Sequence, residues 1–90
     1  MPFETQSRRA VAAEKSGEFP KAAAALRSLL EMDPVDPSQL HFRLSQAYWQ
    51  MGDVSLSKRY CLMALEESPR YFEALAMLQK FPKQAPPLNK

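Results

Sequence analysis

One phrase occurs twice in this chain, and it governs everything else. Lys15-Ser16-Gly17-Glu18-Phe19 and Gln50-Met51-Gly52-Asp53-Val54 place the only two glycines 35 residues apart, and Glu31-Met32-Asp33-Pro34 and Glu66-Glu67-Ser68-Pro69 place two prolines at the same interval. A period near ~34 residues, with glycine in the middle and proline at the end, is the spacing of stacked helical hairpins. Glycine suits the inner turn because a left-handed residue can end a helix without a side-chain clash. Proline suits the outer junction because it donates no backbone hydrogen bond and biases the residue before it away from helix.

These marks predict an all-α chain of about five helices. They run near Glu4 to Ser16, Phe19 to Met32, Pro37 to Met51, Val54 to Glu67 and Arg70 to Lys80. Pro20 falls in the first turn of the second helix, where its missing donor costs nothing. Asp36-Pro37-Ser38-Gln39 reads as a helix start, with Asp36 as cap and Gln39 placed to complete a capping box. Apolar residues recur at three- and four-residue steps in Leu40, Leu44, Ala47, Tyr48 and Met51, and again in Ala22, Leu26, Leu29 and Leu30. Strand alternation is absent. The run Ala22-Ala23-Ala24-Ala25 favours helix and lets a neighbour approach closely.

Ninety residues, 46% hydrophobic and 24% charged, describe one folded domain. The expected division is a helical domain over 3–81 and a proline-containing tail over 82–90, extended and mobile. A net charge of +2 argues against nucleic acid, which calls for a clustered basic surface. No apolar run approaches the ~20 residues that cross a bilayer, and Met1-Pro2-Phe3-Glu4 lacks the basic-then-apolar order of a signal segment, so no membrane is expected and the default location is cytoplasmic. Met1 fits a natural start. The lone Cys61 has no partner for a disulfide, which suits a reducing compartment.

The second repeat resembles the tetratricopeptide pattern. His41, Leu44, Ser45, Tyr48, Gly52, Ser57, Cys61, Ala64 and Pro69 stand in register with that family's large, leucine, small, tyrosine, glycine, small and proline positions. The first repeat matches in its second half, through Gly17, Ala22, Leu26, Leu29 and Pro34. Its first helix carries Gln6, Arg9, Ala10 and Ala13 where the family prefers bulk, a departure that terminal repeats tolerate. The last helix, with Phe72, Leu75, Leu78 and Phe81, looks like the solvating helix that closes such arrays. The resemblance covers roughly residues 3–81: about two repeats and a C-terminal capping helix. It implies antiparallel helix pairs stacked as a short right-handed α-solenoid.

Chemistry is thinly provided. His41 is the only histidine, at a position the family fills with a large packing residue, and no cysteine or carboxylate accompanies it at ligand spacing. Cys61 falls on the inner stripe of its helix, where cysteine behaves as a small hydrophobe. Glu66-Glu67 and Lys58-Arg59 fall on outer faces, and neither glycine belongs to a phosphate-cradling loop. No catalytic site, metal or cofactor is expected.

In such arrays the first helix of each pair lines the concave side. On the third helix the outward positions carry Phe42, Arg43, Gln46, Trp49 and Gln50; Phe42 and Trp49 share a stripe, seven residues apart. Either the aromatics fill an interface with the first or fifth helix, or they anchor a partner, as aromatic residues often do. Facing them would be Ser7, Val11 and Glu14 on the first helix and Glu73, Met77 and Lys80 on the fifth. The resemblance implies a module that binds a protein or peptide on that face, an adaptor or scaffold. Some family members grip a C-terminal carboxylate with several cations, but here Arg43 is the one plausible cation, so a generic peptide groove is expected. The competing expectation is a self-association unit, a possible homodimer, since two repeats bury little surface.

Overall fold

A computed structural model describes residues 3–81. Within them the chain forms five helices and no strand: α1 Phe3–Ser16, α2 Phe19–Glu31, α3 Pro37–Gln50, α4 Val54–Glu67 and α5 Phe72–Leu78. The tail expected over 82–90 lies outside the described residues. All the extensive helix contacts join neighbours in sequence, α1 with α2, α2 with α3, α3 with α4 and α4 with α5.

The two glycine turns are built alike. Gly17 and Gly52 have φ of 78° and 82°, the left-handed region that glycine enters without penalty. The amide of Glu18 donates to Ala13 O at 2.8 Å and that of Gly17 to Glu14 O at 3.3 Å; Asp53 donates to Tyr48 O at 2.9 Å and Gly52 to Trp49 O at 3.0 Å. These paired reverse bonds satisfy carbonyls that the helix end would otherwise leave open. With so short a connection, each following helix must fold back along the one before it. The turn after α2 lacks a glycine and places Asp33 at φ 56° instead, just before Pro34.

Two helix ends depart from expectation. Asp36 does cap α3 by position, with proline in the first turn, but its carboxylate accepts no backbone amide. It takes the Ser38 hydroxyl at 2.6 Å, so the capping box with Gln39 does not form. Asp53 supplies a working cap for α4, accepting from Leu56 N at 3.1 Å. The fifth helix is shorter than Arg70 to Lys80, because residues 69 and 70 turn and Tyr71 precedes the first helical residue.

The interior has two parts. Ala10, Ala23, Ala25, Leu26, Leu29, Leu40, Leu44, Ala47 and Tyr48 join α1, α2 and α3, with Leu56 and Tyr60 of α4 packed on them. Phe42, Cys61, Ala64, Ala74, Met77 and Phe81 join α3, α4 and α5. The apolar stripe of α5 is therefore Ala74, Met77 and Phe81. Phe72 and Leu75, expected on it, point outward at 79% and 38% exposure.

Between α3 and α4 the helices touch through two buried serines. Ser45 Oγ donates to Ser57 O at 2.6 Å, and Ser57 Oγ donates to Ser45 O at 2.7 Å. Both hydroxyls are satisfied without water, so burial carries no unpaired polar group. Nearby, His41 meets Glu67 at 2.7 Å through Nδ1 and stacks on Tyr60 at 6.0 Å, a packing role at the α3–α4 seam.

Candidate binding face along the third helix

The residue at every third or fourth position of α3 that is not needed for the first core faces α1 or α5, and two adjoining depressions form there. One, of about 310 Å³, is lined by Phe42, Gln46, Trp49 and Gln50 of α3, by Glu73, Ala76 and Met77 of α5, and by Lys80 just beyond it. The other, of about 380 Å³, is lined by Glu14, Phe19, Arg43, Gln46, Ala47 and Gln50. Gln46 and Gln50 border both, one helical turn apart and exposed, so the two hollows lie side by side along α3 as a two-part trough. All six expected partner-facing residues, Phe42, Arg43, Gln46, Trp49, Gln50 and Met77, line it.

Their exposure differs from expectation in three places. Phe42 does not project: it is 8% exposed and packs on the Tyr71 ring at 5.1 Å. Met77 is 6% exposed, its sulfur 3.4 Å from Ser45 Oγ. Both form the floor rather than anchors. Arg43 is not a free cation, because its Nε and Nη2 donate to the two Glu14 carboxylate oxygens at 3.1 and 2.6 Å. That fork clamps α1 to α3 and cancels the charge a carboxylate ligand would want. Trp49 is half-buried, edge-on to Phe81 at 5.3 Å and 87°, leaving part of the indole to the trough. The interface reading of the aromatics thus holds on the α5 side.

Of the residues expected to face α3, Glu14, Glu73, Met77 and Lys80 do; Ser7 does so in a third hollow, shared with the loop after α2 and with Gln39, Leu40 and Arg43 of α3, while Val11 is exposed. Glu73 and Lys80 have no ion-pair partner among the described residues, so the α5 wall carries a free acid and a free base about two turns apart. Tyr71, Phe19 and Phe81 were missed as wall and support. For Phe81 a signal existed, since it lies four residues after Met77 on the same stripe. Burial pushes the Tyr71 hydroxyl above its ordinary value; Glu73 and Asp36 add to the rise, and Arg43 offsets part of it.

Cys61 is fully buried, its thiol donates to Ala74 O at 3.2 Å, and desolvation raises its pKa, with the Ser45 hydrogen bond opposing. A protonated, inaccessible thiol is a poor nucleophile. Among the described residues, no three His, Cys, Asp or Glu come together as a metal site, and no helix is long and apolar enough to cross a membrane. No protein-family model, curated protein or solved structure matches the chain.

Proposed function

We propose that this chain is a non-catalytic scaffold of tetratricopeptide type, a short right-handed stack of helix pairs that holds a segment of another polypeptide along α3. The observation that carries the reading is the pair of adjoining hollows, one with an apolar floor from Phe42, Met77 and the indole edge of Trp49, under a shared rim of exposed Gln46 and Gln50. Apolar floors with a few convergent polar groups are how proteins hold ligands of this size. Primary amides suit a peptide backbone because each offers both a donor and an acceptor. The free Glu73 and Lys80 give the α5 wall a polarity, so a bound segment carrying a base and an acid would take one direction. The repeat spacing and the predominance of contacts between neighbouring helices support the stacked arrangement. A cytoplasmic setting belongs to the same reading.

Trp49 is the only tryptophan and sits in the trough, so its emission reports occupancy. Peptides selected from a random library on the intact protein should shift that emission on titration. They should bind at least about tenfold more weakly to a Gln46→Arg/Gln50→Arg variant, as expected when polar contacts at a binding centre are replaced. Failure of any library peptide to bind would reject the function, and equal binding by the variant would reject the trough as its place.

A further inference from the structure

The α3–α4 hairpin rests on the first core through Leu44, Ala47, Tyr48, Met51, Leu56 and Tyr60. The positions 35 residues earlier are Arg9, Ala12, Ala13, Ser16, Lys21 and Ala25, and all six line a depression of about 470 Å³ between α1 and α2. It is the same face of the first hairpin, with the bulk removed: Ala13 and Ala25 stand where Tyr48 and Tyr60 stand. Arg9 on its wall has no ion-pair partner among the described residues, and Lys21 bonds only the exposed Glu18, at 3.2 Å.

At the other end, α5 has the opposite character. Ala74, Leu78 and Phe81 follow Leu40, Leu44 and Ala47 by 34 residues, and like them turn inward. By that offset Leu75 and Gln79 correspond to His41 and Ser45, through which α3 meets α4. Among the described residues no helix covers that face of α5, and Phe72, one turn before Leu75, stands 79% exposed. Glu73 beside it is unpaired.

We infer that the two ends are made for each other: α5 of one copy seats Phe72 and Leu75 in the α1–α2 depression of a second copy, with Glu73 set against Arg9. Protruding bulk meets a hollow of small residues, and an unpaired acid meets an unpaired base. Because every extensive helix contact joins neighbours in sequence and the molecule is elongated, 49 × 25 × 20 Å, hollow and protrusion fall towards opposite ends. The contact is therefore head-to-tail, and each added copy presents a fresh end, giving open chains or a ring rather than a closed pair. Glu73 also borders the α3 trough, so the two contacts are told apart through Phe72 and Ala24, neither of which lines it.

The test is sedimentation velocity on the full chain, wild type beside Phe72→Glu and Ala24→Trp. Ala24 is an exposed residue of the depression, so the indole fills the hollow without entering the core, and circular dichroism checks that both variants stay folded. The wild-type mass should climb with concentration past that of a dimer, and each variant should associate about thirtyfold more weakly, the effect of losing a central anchor. A one-to-one mixture of the variants should form dimers and stop, since one supplies an intact hollow and the other an intact protrusion. A wild type monomeric to about 1 mM, where only contacts weaker than ~4 kcal/mol escape detection, would overturn the inference. So would a mixture that stays monomeric, or an Ala24→Trp variant that associates as well as wild type, which would mean α5 pairs with itself.

Discussion

Replacing Gly52 with alanine isolates the cost of one backbone angle. A Cβ built there meets nothing within 4 Å, so no packing contributes, and the whole effect comes from φ at 82°. An L-residue in the left-handed region costs about 1–2 kcal/mol. Against that, alanine stiffens the unfolded chain and returns about 0.4–1 kcal/mol. The expected net loss is about 1 kcal/mol, which for a domain of this size lowers the thermal midpoint by roughly 4–8 °C. Urea unfolding followed by circular dichroism should show a lower midpoint at unchanged slope, because the hairpin and its buried surface survive. Two companions fix the cause. Gly52→Asn should lose less, since asparagine tolerates this region. A synthetic chain with D-alanine at the site should equal or exceed the glycine protein. An L-alanine variant as stable as wild type, or a D-alanine one as damaged as the L, would refute the reasoning and with it the reversed turn between α3 and α4.

Leu26→Ala should cost about 2–5 kcal/mol, since the side chain is 0% exposed in the first core, and urea titration should find the variant close to unfolded at room temperature. A double-mutant cycle on Glu14→Ala and Arg43→Ala should give a coupling of about 1 kcal/mol, because side chains 19% and 26% exposed hold their fork better than a fully solvated pair; a coupling of zero would remove the clamp between α1 and α3. Cys61 should resist Ellman's reagent in the native protein and react promptly in urea. Its pKa is raised from 9.0 by burial, so the stability it lends is complete below about pH 9 and declines as the pH climbs through the folded value; the wild-type urea midpoint should fall more between pH 8 and 10 than that of Cys61→Ala.

What the amino-acid order revealed was punctuation. Gly17, Gly52, Pro34 and Pro69 act through the backbone of their own neighbourhood, so the first four helices were legible almost to the residue. The tetratricopeptide resemblance pointed to the outward side of α3, and the residues it singled out do line the hollows there. Contacts between distant residues were not legible. Nothing local tells Arg43 that Glu14, 29 residues away, will occupy its guanidinium. Phe42 and Met77 looked available because their burial depends on how α5 is rotated, and the eye-catching Phe72 and Leu75 suggested the wrong face for it. The Asp36 carboxylate takes the hydroxyl of the serine two residues on instead of a backbone amide, a local alternative that the residue pattern does not rank.

The serine crossing has a counterpart in the first hairpin. Ala10 and Ala22 occupy the positions 35 residues before Ser45 and Ser57, and both are 0% exposed, so the two hairpins close at small residues in the same places. One is latched by reciprocal hydroxyls; the other has only methyl groups at those positions and no hydrogen bond to offer. The crossing of the second hairpin is thus held by hydrogen bonds as well as by packing.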